Sequence, residues 1–189
     1  MRTEVTSLMG RQLFTSDEHL NHKNIIKHCN RPWDYSKRGC EQMTKRIIEQ
    51  QNDSLAPGDV IYHVGDWSWG TKSNIRAYEL LMSRMRDDVT RHLILGNHDV
   101  LKPFTYVNLG FASVHTSLKI RIGNYDAYLI HDPSAWTVLP RDSILVCGHI
   151  HGLFKTLPEQ KTVNVGVDVW EFKPITEERI LLALGLWVP

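Results

Sequence analysis

Polar residues of the types that bind metal ions recur directly after the predicted strands of this chain. Asp17, Asp66, Asn97, His131 and His149 each follow a short run of apolar and β-forming residues. Ligands of layered α/β proteins bind outside the carboxyl ends of strands, so we expect these side chains to lie close together. Because polar groups are costly to bury without a partner, the cluster needs one. A metal centre is the simplest partner that the pattern predicts.

The segments between these positions alternate between strand and helix patterns. One β-rich run ends at Gly65-Asp66 and another at Gly96-Asn97, and residues 73–85 between them carry apolar side chains at helical spacing. This alternation indicates a layered α/β sheet protein. Strands are predicted at 12–15, 59–64, 92–95, 118–122, 125–130, 144–147, 162–169 and 179–186, and helices at 24–28, 36–51 and 73–85.

The composition is that of an ordinary globular protein. The chain has 189 residues, 42% hydrophobic and 23% charged, which suits one domain over residues 1–189 and excludes a disordered or fibrous protein. Lys and Arg total 22 against 21 Asp and Glu, so no global basic field favours non-specific nucleic-acid binding. No apolar run approaches the roughly 20 residues that span a bilayer, and residues 1–7 lack the apolar core of a secretory signal. Three cysteines without a Cys-x-x-Cys pair predict a reducing compartment, the cytoplasm.

Two pairs of residues have the spacing that presents two ligands to one site. Asp17 and His19 are two residues apart, and in an extended segment such residues point to the same side. His149 and His151 repeat this spacing. The glycine before Asp66 lets the backbone turn sharply and approach the site.

The candidate ligands are two carboxylates, one amide and four imidazoles. They are Asp17, His19, Asp66, Asn97, His131, His149 and His151. This set is too large for one tetrahedral zinc ion. It suits two five- or six-coordinate transition ions that share a bridging carboxylate.

Five motifs therefore stand in a fixed order along the chain. They are Asp17-Glu18-His19, Gly65-Asp66, Gly96-Asn97-His98-Asp99, His131 after a strand, and Gly148-His149-Ile150-His151. In this order they resemble the calcineurin-like metallophosphoesterase superfamily over most of the chain. One such motif would be weak evidence, but five in order are specific.

Further segments resemble a smaller bacterial and phage branch of that superfamily. They are His22-Lys23-Asn24-Ile25-Ile26, Asn30-Arg31-Pro32, Tyr62-His63-Val64-Gly65-Asp66, and Asn164-Val165-Gly166-Val167-Asp168-Val169-Trp170 with Pro174. The chain departs from the family pattern at one place. Many members carry an acidic or amide residue soon after Gly-Asp, whereas Trp67-Ser68-Trp69-Gly70 follows here. These tryptophans are expected to wall the pocket instead.

The resemblance implies a fold and a role for each position. The implied fold is a four-layer αββα sandwich of two mixed β-sheets flanked by helices. Its implied roles are Asp17, His19 and His151 on the first metal ion, Asn97, His131 and His149 on the second, Asp66 bridging both, and His98 as proton donor to the leaving oxygen, steadied by Asp99.

Ordinary structural roles compete with functional ones at several other positions. His22 and Arg31 are candidates for substrate binding, since a guanidinium fork matches phosphate, and helix capping or surface charge is the alternative. His63 is expected to pack or to support the site rather than to bind metal. The remaining aromatic and histidine positions, expected in the core, the pocket wall or the surface, are His28, His92, His115, Trp33, Trp67, Trp69 and Trp136.

The resulting prediction is a metal-dependent phosphoesterase. Two divalent ions about 3.5–4 Å apart would share Asp66 and a water, and hydroxide formed from that water would attack phosphorus. His98 would protonate the leaving alkoxide. Oxygen and nitrogen ligands without thiolate suit manganese as the first choice, or iron, zinc or nickel.

The expected substrate is a small or exposed phosphate ester, with nucleotides and cyclic nucleotides as candidates. A phosphodiester is preferred over a monoester, because a histidine acid helps a poor alkoxide leaving group. The alternative is a catalytically weak or inactive member of the fold that serves as a scaffold or a nucleic-acid-binding module. The intact ligand set with His98 favours the enzyme, since a scaffold has no need of it.

Overall fold

A computed structural model describes residues 10–135 and 140–187, and these residues form two mixed five-stranded sheets. The first sheet has the order β10-β1-β2-β3-β4, in which β1 to β4 are parallel and β10 is antiparallel. Its strands are β1 (Gln12–Thr15), β2 (Val60–His63), β3 (Thr90–Ile94), β4 (Ser113–His115) and β10 (Ile175–Thr176). Trp136, predicted in the core or pocket wall, lies outside the described residues.

The second sheet has the order β5-β6-β7-β9-β8. Strands β6, β7 and β9 are parallel, and the two outer strands β5 and β8 are antiparallel to their neighbours. Its strands are β5 (Ser117–Ile122), β6 (Tyr125–Ile130), β7 (Ile144–Cys147), β8 (Thr156–Leu157) and β9 (Thr162–Asn164). The predicted hairpin at Gly123-Asn124 joins β5 to β6.

In the described part of the chain, five α-helices flank the sheets. They are α1 (Lys23–His28), α2 (Lys37–Ser54), α3 (Ile75–Met82), α4 (Pro103–Leu109) and α5 (Glu177–Ala183). Helix α2 begins where the side chain of Ser36 accepts a hydrogen bond from the N–H of Gly39 at 3.0 Å, an N-cap interaction. The predicted fold class is confirmed: the protein is α/β, with two mixed sheets flanked by helices.

The apolar core lies between the two sheets. Alternate residues of the first sheet, Phe14, Tyr62 and Ile94, pack there against Leu129 and Val146 of the second sheet. This follows from the period of two along a strand, which sends successive side chains to opposite faces.

The other face of the first sheet is covered by helices. Leu93 of β3 belongs to a second apolar cluster with Ile47 of α2, Tyr78 of α3 and Tyr106 of α4. No helix within residues 10–135 and 140–187 has both the length and the apolar composition needed to cross a bilayer.

The last predicted strand is wrong, because residues 177–183 form helix α5. Thr176 caps this helix by accepting a hydrogen bond from the N–H of Arg179 at 3.2 Å. Ile180 and Leu184, four residues apart, lie on one helical face and enter the core between the sheets. The apolar residues of the run 179–186 therefore have the spacing of a helix and not the alternation of a strand.

Helix α4 and strand β4 were not predicted. The signals for α4 were nevertheless present, since Pro103 begins the helix and Gly110 follows its end with φ at 117°. Both elements lie between His98 and β5, where the sequence has no long periodic run.

We expect Phe14→Ala to lower the free energy of unfolding by about 3–5 kcal/mol, because it leaves a cavity between the sheets. Phe14 is fully buried and stacks on Tyr62 with ring centroids 5.3 Å apart. The control Phe104→Ala removes a ring that is 63% exposed and should cost less than about 0.5 kcal/mol. Urea unfolding measures both. Similar losses in the two variants would contradict this description of the core.

Candidate metal centre

Parallel strands of both sheets deliver the candidate ligands from their carboxyl ends. Strands β1, β2 and β3 of the first sheet lead into the loops that carry Asp17, Asp66 and Asn97. Strands β6 and β7 of the second sheet lead into His131 and His149. The sheets are joined close by, where residues 16 and 166 form an isolated parallel β-bridge. The predicted origin of the site at strand ends thus agrees with the structure.

Five of the candidate ligands adopt the left-handed backbone conformation, which residues other than glycine rarely take. Their φ angles are 57° at Asp17, 48° at His19, 55° at Asp66, 70° at His149 and 45° at His151. Such conformations cost free energy and cluster at functional sites, where the surrounding structure enforces them. Their repetition indicates that these loops are shaped to direct side chains toward a common point.

Backbone hydrogen bonds hold these loops against one another. The N–H of Asp17 donates to the carbonyl of Gly65 and the N–H of His19 to the carbonyl of Asp66, each at 3.0 Å. The carboxylates take part as well: the N–H of His98 donates to Oδ1 of Asp66 at 2.8 Å, and the N–H of His149 to Oδ2 of Asp17 at 3.0 Å. Each loop is therefore fixed by its neighbours.

The first group of ligand atoms belongs to Asp17, His19 and His151. One atom from each of these side chains lies within 4.8 Å of the others. Nε2 of His19 is also 3.4 Å from Oδ2 of Asp66.

The second group also approaches Asp66. Oδ1 of Asn97 is 3.2 Å from Nε2 of His131 and 2.9 Å from Nδ1 of His149. Nε2 of His131 is 3.3 Å from Oδ2 of Asp66. All seven predicted ligands are thus brought together, and one carboxylate oxygen of Asp66 lies within 3.4 Å of a nitrogen from each group.

The donor chemistry of this cluster fits divalent cations. Carboxylate oxygens, an amide oxygen and imidazole nitrogens meet with their lone pairs directed at one another, which is repulsive unless a proton or a cation lies among them. Nε2 of His19 is buried and has no hydrogen-bond partner within the described ranges. Its Nδ1 is already engaged, 3.2 Å from Nδ1 of His22. A cation would satisfy the buried nitrogen.

The pKa shifts describe a site that attracts positive charge. Burial would raise the pKa of Asp66, but the hydrogen bond and charge of His131 and the N–H of His98 outweigh it and lower the pKa to about 2. Burial lowers the pKa of His19 to about 2, which keeps its ring neutral, the form that binds metal. Burial acts against the charge of His131 too, yet Asp66 and Asp17 raise its pKa to about 9.

His98 lies at the opening of this cluster. Its side chain is 35% exposed, its Nε2 is 4.0 Å from Oδ2 of Asp66, and its ring centroid is 5.1 Å from those of His19 and Trp69. It faces a pocket of about 920 Å³. The ring can therefore reach a molecule in the pocket while its backbone remains bonded to Asp66.

The carboxylate of Asp99 holds the loops beneath the cluster. It accepts hydrogen bonds from the N–H groups of Asp66 at 2.8 Å, Gly96 at 2.8 Å and Trp67 at 3.2 Å. These contacts are all with backbone groups, and the role of Asp99 in steadying His98 stays a prediction.

Arg31 is buried, and its guanidinium is already occupied. It binds the carboxylate of Asp168 and the backbone carbonyls of Asp17 and Glu18. This side chain supports the loop of the first ligand group, and phosphate binding by Arg31 stays a prediction. Both Arg31 and His22 line the pocket, and substrate binding by His22 likewise stays a prediction.

Two acidic residues near the site were given no role by the sequence analysis. Asp168 lies 2.8 Å from Nδ1 of His151, and its segment had been singled out only as a branch motif. Glu18 is fully buried, with Oε1 2.5 Å from Nδ1 of His63, which agrees with a supporting role for His63. The sequence signal for a role of Glu18 was its position between two candidate ligands, Asp17 and His19.

The tryptophans after Asp66 have different environments. Trp67 is fully buried in the helix-side apolar cluster. Trp69 walls the pocket, where it is 43% exposed and stacks on His22 with ring centroids 3.9 Å apart. Trp33 packs edge-on against Phe172 at 4.8 Å.

Known sequences resemble this chain over most of its length. A family model described as Calcineurin-like phosphoesterase matches residues 10–170. The Uncharacterized protein MJ1445 of Methanocaldococcus jannaschii is 30% identical over 174 residues, covering 88% of this chain and 86% of that protein. The Gene 66 protein of Mycobacterium phage L5 is 26% identical over an alignment of 191 residues, covering 86% of this chain and 88% of that protein.

A solved structure has the same fold. It is the protein AQ665 of Aquifex aeolicus, described as a protein of unknown function, with a TM-score of 0.67 and 22% sequence identity. The match covers 92% of this chain and 99% of that chain. At this identity the likeness concerns the fold alone.

We expect Gly148→Ala to weaken metal binding about 10–100-fold, the range seen when the support of a ligand is lost. A Cβ at Gly148 would lie 1.9 Å from Oγ of Ser16 and 2.6 Å from Oδ2 of Asp17, so the loops must separate. Gly152→Ala is the matched control, since its Cβ would meet open space. Metal content after dialysis distinguishes the two. Wild-type metal content in Gly148→Ala would contradict the close approach of these loops.

Proposed function

The chain belongs to the calcineurin-like phosphoesterase family, as its motif order predicts, and on this premise we propose that it hydrolyses phosphodiesters with two divalent cations. Family membership supports a metal-dependent phosphoesterase in general, and grouped Asp and His side chains offer a place for metal. The observation that carries the proposal is the grouping of the seven candidate ligands, in which one oxygen of Asp66 lies within 3.4 Å of a nitrogen from each of the two groups.

The proposal divides the ligands between two ions. Asp17, His19 and His151 would hold the first ion and Asn97, His131 and His149 the second, and Asp66 would serve both. In support, Oδ2 of Asp66 lies 3.4 Å from Nε2 of His19 and 3.3 Å from Nε2 of His131. When bound, the ions supply a water of lowered pKa and neutralise charge on the phosphate oxygens. Manganese is the first candidate for these oxygen and nitrogen ligands, before iron, zinc or nickel.

In the proposed mechanism His98 gives a proton to the leaving oxygen. Its ring lines the pocket beside Trp69, and the bond from its N–H to Asp66 fixes its position relative to the ligands. The three backbone bonds of Asp99 stabilise the loop that carries His98. A positioned acid of this kind typically contributes about 10²–10⁴-fold to the rate.

The pocket favours a diester with a sizeable substituent. Its volume of about 920 Å³ exceeds what a bare phosphate needs, and the half-exposed indole of Trp69 offers a surface for stacking. A nucleotide or cyclic nucleotide would present both a flat base and an alkoxide leaving group. The free thiols of Cys29, Cys40 and Cys147 suit a reducing compartment, and we place the activity in the cytoplasm.

We expect metal-free protein to be inactive and added Mn²⁺ to restore activity, with a higher rate on the diester bis(p-nitrophenyl) phosphate than on the monoester p-nitrophenyl phosphate. A chelator should abolish the activity, because the seven side chains act on the substrate only through bound metal. Asp142→Asn, at an exposed ion pair with Lys161, is a control that should leave the rate unchanged. Protein loaded with Mn²⁺, iron, zinc or nickel that turns over no mono- or diester would contradict the proposal and favour a scaffold or a binding module.

We expect His98→Ala to slow hydrolysis of an alkyl or ribose diester about 10²–10⁴-fold while sparing an activated nitrophenyl diester. A nitrophenolate leaves without a proton, whereas an alkoxide needs one. His28→Ala is the matched control, since His28 is exposed and lines the same pocket. Metal content should stay at the wild-type level. Equal losses on both substrates would remove His98 from the role of general acid.

A further inference from the structure

A single buried arginine connects the separate segments that carry the first ligand group. Arg31 is only 4% exposed, and its planar guanidinium has five N–H donors. Nη2 donates to the carbonyl of Asp17 at 2.7 Å and Nη1 to the carbonyl of Glu18 at 3.0 Å. The second Nη1 donor is 3.5 Å from Sδ of Met43 on α2. Arg31 therefore holds the loop of Asp17 and His19 through hydrogen bonds to its backbone carbonyls.

The remaining two donors bind one carboxylate. Nε of Arg31 donates to Oδ1 of Asp168 at 2.8 Å, and Nη2 to Oδ2 at 3.0 Å. This parallel pair of hydrogen bonds fixes the carboxylate in direction as well as in position. All five N–H donors of Arg31 are thus engaged.

The same carboxylate then contacts a candidate metal ligand. Oδ2 of Asp168 lies 2.8 Å from Nδ1 of His151. A carboxylate accepts hydrogen bonds only, so Nδ1 of His151 carries the proton of this bond, and Nε2 is the nitrogen that the neutral ring could offer to a metal ion. A hydrogen bond of this kind fixes both the tautomer and the ring orientation of a ligating histidine.

We propose that Arg31 and Asp168 are a positioning pair for the first metal ion, joining the segment of Asp17 and His19 to the ring of His151. The inference rests on the proposed function, because it concerns one of the two ions of that site. Within residues 10–135 and 140–187, the hydrogen bonds of the pair reach two of the segments that carry the first ligand group, and none joins the pair to Asn97, His131 or His149.

Neither side chain is readily replaced. Lysine keeps the charge of Arg31 but offers a point charge in place of a planar fork, so it cannot hold two carbonyls and a carboxylate together. Asparagine has the shape of Asp168 but only one acceptor oxygen. The carboxylate of Asp168 has two oxygens, which now accept hydrogen bonds from three N–H groups. Both changes should loosen the first ion and spare the second.

The test is a titration of metal-free protein with Mn²⁺, followed by calorimetry and metal analysis. Wild type should bind two ions. In Asp168→Asn and in Arg31→Lys the affinity for one ion should fall about 10–100-fold, while the other stays within about twofold of wild type. Asp142→Asn, which removes an exposed carboxylate paired with Lys161, should bind two ions as wild type does. Melting of each metal-free variant separates loss of a ligand's orientation from loss of the fold.

The outcomes are distinguishable. Two ions bound with wild-type affinity in both variants would overturn the positioning role and leave the proposed function intact. Equal weakening of both ions in both variants would also overturn it, because the pair would then support the whole site without preference. Fewer than two ions in wild type would contradict the proposed function itself, and the inference with it.

Discussion

Electron-rich atoms from separate loops stay this close together only when something positive lies among them. One carboxylate, one amide and four imidazoles are grouped with Asp66, and two of these side chains approach one of its oxygens to 3.4 Å or less. The effect of the carboxylates is seen in the pKa of His131. Burial would lower this pKa, but Asp66 and Asp17 raise it to about 9. Much of the surrounding architecture can be understood as the means of holding these groups in place.

The supporting structure is built mostly from backbone groups and buried polar pairs. Loops from both sheets donate N–H groups to the carboxylates of Asp17, Asp66 and Asp99. Behind them lie two buried pairs, Glu18 with His63 and Arg31 with Asp168. Buried charged pairs are weak sources of stability because desolvation opposes them. Their value here lies in orientation, which agrees with their position directly behind the ligands.

The grouping of the candidate ligands could be predicted from the sequence because strand ends are local signals. An apolar run followed by Gly-Asp or Gly-Asn places a polar side chain at the carboxyl end of a strand, and parallel strands bring those ends together. The layered α/β class followed from the alternation of strand and helix patterns, whereas the arrangement in two sheets was implied by the family resemblance. Helix α5 was mistaken for a strand because its run of Ile and Leu residues is short, and periodicity separates such runs poorly.

The residues that support the candidate ligands could not be predicted, because their roles depend on contacts between residues far apart in sequence. Arg31 was a candidate for phosphate binding from its chemistry alone, with surface charge as the alternative. Its actual partner, Asp168, is 137 positions away and also reaches His151. Asp99 was assigned to its sequence neighbour His98, whereas its carboxylate binds backbone N–H groups of another loop. Spacing along the chain shows which residues can act together, but only the fold shows which ones do.

The central claim is that these loops hold two metal ions, and anomalous X-ray diffraction from crystals grown with Mn²⁺ tests it most directly. The account predicts two anomalous peaks on either side of Oδ2 of Asp66. One should lie among Asp17, His19 and His151, and the other among Asn97, His131 and His149. A single peak, or peaks away from Asp66, would contradict the two-ion centre.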